Sequence, residues 1–197
     1  MIAVIDYGVG NLFSLTASLK YIGADVAVTA DKEVLQAADK LILPGVGAFR
    51  DARAKLFATG LVDTLYEQVE AGKPLLGICL GMQMLFDKSY EYGEYDGLGL
   101  IPGNVRYIET DLKVPQIGWN SITIKEDPLF KYTKNGDYVY YVHSYCATEC
   151  EADTIAVSDY HVPITGAVHK GNVWGTQFHP EKSGNVGLGM LRAFNEL

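Results

Sequence analysis

Cysteine is scarce and unpaired in this sequence: Cys79, Cys146 and Cys150 are the only three, and no C-x-x-C spacing joins any two of them. That argues against a disulfide framework or a zinc ribbon. Cys146 and Cys150 read as incidental residues near a strand end, because a metal site at their spacing needs further ligands close by; no metal is expected. Long apolar runs are missing too. Nothing approaches the ~20 residues a membrane span requires, and no basic leader or cleavage site precedes the apolar residues 1–5, so the expected location is cytoplasmic and no membrane partner is expected. Runs of Lys or Arg are also lacking, and 24 acidic against 16 basic residues leave a net charge of −8. Nucleic acid and anionic membranes are therefore poor partners. No repeat, linker or low-complexity segment interrupts the chain.

What is present is the profile of a globular protein, 48% apolar and 20% charged over 197 residues. That length fits one domain, 1–197, able to bury roughly 70% of its unfolded surface. In the first half, short apolar strands at 1–5, 25–29, 40–43 and 74–78 alternate with helical patterns. One helix carries Leu12, Leu15 and Leu19 on a single face; another carries Leu61, Val62, Leu65 and Val69. Such alternation predicts βαβ units and an α/β, three-layer sandwich with a mostly parallel central sheet flanked by helices. After about residue 98, strands at 105–108, 117–124, 138–145, 154–157, 164–169 and 172–177 are separated by turn signals, which predicts added antiparallel strands. A last helix over about 185–194 returns the chain to the parallel core.

The strongest chemical signal is G-I-C-L-G at 77–81, between an apolar strand and a helical apolar run. This is the cysteine form of a nucleophile elbow, a tight strand-to-helix turn that presents its central residue outward. Its two glycines remove side chains that would collide there. The partial positive charge of a helix start favours the thiolate, which is the reactive form of a cysteine. The Leu80 N–H becomes a candidate oxyanion donor. A hundred residues on, His179 and Glu181 flank Pro180, and in an extended segment positions i and i+2 face the same way. A carboxylate on Nδ1 would set the imidazole tautomer and leave Nε2 for the thiol. His143, His161 and His169 are the competing bases, and none has a carboxylate so placed. The third element, P-G-V-G at 44–47, follows an apolar strand. Its glycines let the backbone of Val46 and Gly47 approach a reacting carbonyl oxygen. A phosphate cradle fits less well, because neither G-x-G-x-x-G nor a G-K-[ST] ending is present.

With these pieces in order, the chain resembles the class I (triad) glutamine amidotransferases over essentially its whole length. The marks are D-Y-G-V-G-N at 6–11, P-G-V-G-A-F at 44–49, C-L-G-M-Q at 79–83, G-L-G-L-I at 97–101, G-W-N at 118–120, V-H-S-Y at 142–145 and F-H-P-E-K-S at 178–183. They are most similar to the branch that works beside a (β/α)₈-barrel cyclase of histidine biosynthesis. The resemblance implies a glutaminase without a cofactor, in which Cys79 attacks the glutamine side-chain carbonyl, His179 passes the proton and Glu181 orients His179. Oxyanion donors would be Leu80 and the backbone at Val46 and Gly47. It further implies that Gln83, Glu91, Ser144 and Tyr145 recognise glutamine, and that Trp119, Asn120, Tyr140 and Lys182 lie near the cyclase interface and the ammonia path. The released ammonia would serve the cyclase of a heterodimer in making imidazole glycerol phosphate and an aminoimidazole carboxamide ribonucleotide. In the family the oxyanion strand is badly aimed until the cyclase binds its nucleotide. Three other readings stay open on the residues alone: a cysteine hydrolase acting on other substrates, a non-catalytic binding subunit, and the same chemistry with a different acceptor.

Overall fold

The computed structural model describes residues 1–197. The first half runs β1 (Ile2–Ile5), α1 (Leu12–Tyr21), β2 (Val26–Thr29), α2 (Lys32–Ala37), β3 (Lys40–Leu43), α3 (Phe49–Ala58), α4 (Val62–Glu70), β4 (Leu75–Ile78) and α5 (Leu80–Met84). The second half is mostly strand: β5 (Lys88–Ser89), β6 (Tyr95–Asp96), β7 (Asn104–Tyr107), β8 (Gln116–Ser121), β9 (Thr123–Ile124), β10 (Tyr138–His143), β11 (Tyr145–Thr148), β12 (Thr154–Asp159), β13 (Pro163–Lys170) and β14 (Val173–Thr176). Helix α6 (Gly184–Glu196) closes the chain.

Eight strands form the main sheet in the order β2-β1-β3-β4-β14-β13-β12-β9. The pairs from β2 through β14 are parallel, and those from β14 to β9 are antiparallel. Strand β14 lies late in sequence but inside the parallel block, against β4 with Gly175 opposite Gly77.

Both faces of this sheet are buried, as the short continuous apolar strands require. Alternate residues of one strand enter different cores, because successive side chains point to opposite sides. Ala3, Ile5, Leu41, Leu43 and Leu75 pack with Leu35 of α2, Leu56 of α3 and Leu65 of α4. Ile2, Val4, Ile42 and Leu76 pack with Leu15 and Leu19 of α1 and with Leu191 and Phe194 of α6. The result is the three-layer α/β sandwich that the strand and helix periods predict.

Two expected strands divide instead of running through. The run at 117–124 breaks at Ile122 into β8 and β9, and that at 138–145 breaks at Ser144 into β10 and β11. Strands β8 and β10 pair only with each other, whereas β11 joins a four-stranded sheet, β11-β7-β5-β6. The break turns Ser144 and Tyr145 toward the carboxyl ends of the main strands.

Candidate active site

Three neighbouring parallel strands, β3, β4 and β14, end side by side, and the crevice beyond the carboxyl ends of such strands is where open α/β sheets place ligands. From β3 comes the loop with Val46 and Gly47, from β4 comes Cys79, and from β14 comes the segment to His179. All of these line one cavity of about 290 Å³, together with Leu80, Gln83, Glu91, Tyr92, Ser144 and Tyr145.

Cys79 sits at φ 55°, ψ −109° between β4 and α5. A side chain in that region is strained, and the neighbouring packing holds it there. The elbow glycines show how tightly: a Cβ on Gly81 would lie 1.8 Å from the carbonyl oxygen of Leu43, and one on Gly77 would lie 2.8 Å from that of Gly81. No larger residue fits between β3 and the turn without moving backbone.

His179 is buried, and its Nδ1 donates to Glu181 Oε1 at 2.8 Å. Nε2 is buried and has no protein partner, which leaves it available to a reacting group. Burial opposes charge on this ring. The facing Cys79 sulfur and the Glu181 carboxylate on Nδ1 more than offset that, and its pKa is raised to about 9. That direction favours the charged form of the ring.

The rival histidines are accounted for. His143 lines the same cavity but lies between the Tyr145 carbonyl and the Gln116 side chain, each at 2.8 Å. Burial there lowers its pKa to about 4, so it stays neutral and tied down. His161 is paired with Asp111 on the surface, and His169 with Asp127 beneath Trp174.

The family model for class-I glutamine amidotransferases matches residues 3–195. The chain belongs to the class-I glutamine amidotransferases. Among this amidotransferase's relatives is "Imidazole glycerol phosphate synthase subunit HisH" of Caldanaerobacter subterraneus subsp. tengcongensis, 50% identical across 100% of this chain and 98% of the relative. A protein of the same name from Bacillus cereus strain ATCC 14579 is 50% identical across 98% of this chain and 93% of its own. A solved glutamine amidotransferase structure superposes over 100% of both chains with a TM-score of 0.79 at 19% identity, which speaks for the fold.

The amidotransferase's remaining predicted residues fall into two groups. Glu91 is half-buried on the cavity wall, its Oε2 accepting the Phe49 N–H at 2.6 Å at the start of α3. Burial raises its carboxyl above the ordinary value, with the Phe49 bond opposing. Gln83, which could have been solvated, is instead buried: its Nε2 donates to the Tyr145 carbonyl and to Gln177 Oε1, each at 3.0 Å. Leu80 lines the cavity, but its N–H is directed at the Gly45 carbonyl at 3.3 Å, a long bond. Tyr7 holds the preceding residue of that loop, its hydroxyl donating to the Pro44 carbonyl at 2.6 Å.

The expected interface residues do not all meet. Trp119 and Tyr140 are paired across β8 and β10, with their rings edge to face at 6.0 Å. Lys182 lies over Tyr140 at 5.9 Å from the ring centre. Asn120, the next residue along β8, faces the other way as strand alternation dictates, and its Nδ2 donates to the Asp159 carbonyl of β12 at 2.8 Å. It tethers the ribbon to the main sheet and is not part of the aromatic patch. The residue that sequence reading passed over is Gln177, fully buried with its Nε2 3.8 Å from Cys79 Sγ. The signal available was its place two residues before His179, on the same side of an extended segment.

Proposed function

We propose that the whole chain acts as one glutaminase domain, hydrolysing glutamine to glutamate and ammonia in the cytoplasm and passing the ammonia to a (β/α)₈-barrel cyclase of histidine biosynthesis. The observation that carries this is the strained Cys79 sharing one small cavity with a His179 whose Nε2 is free and whose Nδ1 is held by Glu181. The naming of full-length relatives at 50% identity as subunits of imidazole glycerol phosphate synthase supports the choice of acceptor.

The cavity lies at the small end of the ~300–1,000 Å³ range of ligand pockets, which suits a free amino acid. Glu91 takes the glutamine ammonium, and Ser144, Tyr145 and Gln83 line the site around the rest of the molecule. The sulfur of Cys79 attacks the side-chain carbonyl carbon, and the carbonyl oxygen becomes an oxyanion. His179 Nε2 gives its proton to the leaving nitrogen, the C–N bond breaks, and ammonia departs from a thioester. The now neutral His179 takes a proton from water, whose oxygen attacks the thioester; glutamate leaves and the sulfur is regenerated.

The oxyanion needs donors at ~2.7–3.1 Å. Leu80 N–H is one, and for it to serve, the Gly45 carbonyl must withdraw. Rotation of the Gly45–Val46 peptide, with Gly47 at φ 97° on the far side of Val46, does this and brings the Val46 N–H inward, beside the backbone at Gly47. Binding of the cyclase and its nucleotide favours that state. Trp119, Tyr140 and Lys182 form the docking edge next to the triad, since Lys182 follows Glu181 directly.

Glutamate release should be measured with the barrel cyclase of histidine biosynthesis, with and without its acceptor nucleotide. Stimulation by that pair, abolished by Cys79→Ala, is expected. Equal release with and without the cyclase, or stimulation only by a synthase of another pathway, would overturn the choice of acceptor.

A further inference from the structure

Between the thiol and the opposite wall of the cavity runs a short chain of amides whose polarity is set by geometry. It starts at the Tyr145 carbonyl, which can only accept. Gln83 therefore turns its NH₂ toward it, at 3.0 Å. The same NH₂ meets the Gln177 side chain at 3.0 Å, so the atom facing it there is Oε1. That leaves Gln177 Nε2 pointing at Cys79 Sγ, 3.8 Å away. An amide's two ends are ordinarily interchangeable in a structure; here one carbonyl decides both.

Neither amide is free to turn. Gln177 is 0% exposed and Gln83 5%. The Gln177 backbone is fixed as well, its N–H donating to the Gly166 carbonyl at 2.8 Å. Resting on the glutaminase reading for its role in turnover, we propose that Gln177 is a further catalytic residue, donating an N–H to the Cys79 thiolate and aiming the sulfur at the substrate carbonyl, with Gln83 and the Tyr145 carbonyl as the positioning groups behind it.

The sulfur then has two partners of different kinds. His179 exchanges a proton with the reacting groups, whereas the Gln177 amide only donates a hydrogen bond and stays neutral throughout. A donor fixed by buried neighbours requires no reorganisation when charge appears on sulfur, and hydrogen bonds to charged groups are stronger than neutral ones. The other titratable groups around the sulfur are His179 after β14, Tyr7 after β1, whose hydroxyl is engaged by the Pro44 carbonyl, and His143 and Glu91 across the cavity.

Two variants remove the donor. Gln177→Glu keeps the shape and an oxygen for Gln83 to bond, and replaces the N–H that faces sulfur with a carboxylate oxygen, so that a lost hydrogen bond and an added charge act together. Two measurements apply to the full chain. The first is the pH dependence of Cys79 alkylation by iodoacetamide, read on the Cys79 peptide by mass spectrometry without glutamine or cyclase. The midpoint should move up by about one pH unit or more. The second is glutamate release with the cyclase, where kcat should fall by about tenfold or more, with KM for glutamine changing much less. Gln177→Met, which removes the donor without adding charge, should shift the midpoint in the same direction by a smaller step, and it serves if the Glu variant does not fold. An unchanged alkylation midpoint in folded Gln177→Met overturns the proposal, whatever the charged Glu variant shows. A shifted midpoint in a protein that never hydrolyses glutamine leaves the thiolate contact standing and sinks the glutaminase reading instead; wild-type hydrolysis with unaltered variants does the reverse.

Discussion

Gly81→Ala tests the elbow more sharply than substitution of any reacting group, because nothing chemical is removed. The new methyl would stand 1.8 Å from the Leu43 oxygen, against an unstrained carbon–oxygen contact of about 3.3 Å, so the turn and β3 must part by about 1.5 Å. Both sides of the contact are backbone, and no rotamer relieves it. Overpacking of this kind costs about 1–3 kcal/mol or more. In a chain of this size each kcal/mol moves the melting temperature by about 2–4 °C, which puts the expected loss at roughly 2–12 °C. The displacement falls on the second residue of α5, two positions from Cys79. Misplacement by about 1 Å costs on the order of 100-fold in rate, and a loss of at least that size is expected in glutamate release. Gly72→Ala is the control: its φ of 87° also disfavours a side chain, yet nothing lies within 4 Å of the added carbon. It should lower the melting temperature while leaving kcat near wild type. Thermal unfolding and cyclase-stimulated glutamate release read both quantities. Should Gly81→Ala melt within about 1 °C of wild type and turn over normally, the close approach of elbow and β3 is not what shapes the site.

Three other outcomes are expected. Cys79→Gly should be at least as stable as Cys79→Ala, despite the general cost of glycine, because only glycine adopts φ 55°, ψ −109° without strain; the opposite order in denaturant titrations would remove strain from the account. Glu91→Gln should raise KM for glutamine by about tenfold or more with kcat little changed, since the carboxylate is assigned to uniform binding of the ammonium, and steady-state kinetics decide. His179 gains its proton in the folded state, with a pKa raised to about 9 from its ordinary 6.5. Its contribution to stability is therefore fully present below about pH 6.5 and lost as pH rises through about 9. The stability advantage of wild type over His179→Gln, followed by denaturant unfolding between pH 6 and 10, should shrink across that window; an advantage that grows would reverse the assigned sign.

Much of the site was legible because it rests on local rules. The elbow glycines, the helix start and the i, i+2 placement of His179 and Glu181 are all statements about a few consecutive residues. The parallel half of the sheet was legible from apolar strands alternating with helices. Other features depended on partners distant in sequence. The run 138–145 keeps a strand's character throughout, and neither Gly nor Pro marks Ser144, where the chain leaves β8 for β7. Helices α2 and α3 were missed because one is six residues long and the other buries only Phe49, Ala52 and Leu56. Gln177 looks like any polar residue after a strand until Gln83, 94 positions earlier, is found against it. The orientation of Asn120 follows from strand alternation, but only once Trp119 is known to face outward. The occupied Leu80 N–H was beyond reach, since it turns on the direction of one carbonyl in a glycine-rich loop.

The central claim is that Cys79 alone among the cysteines forms a covalent bond to the glutamine side-chain carbonyl. It is tested most directly by treating the cyclase complex with an electrophilic glutamine analogue and locating the adduct by peptide mass spectrometry. One adduct is expected, on Cys79, with loss of glutamate release in proportion and protection by glutamine. Modification of Cys146 or Cys150 in its place, or full labelling of Cys79 with glutamine hydrolysis undiminished, would contradict it.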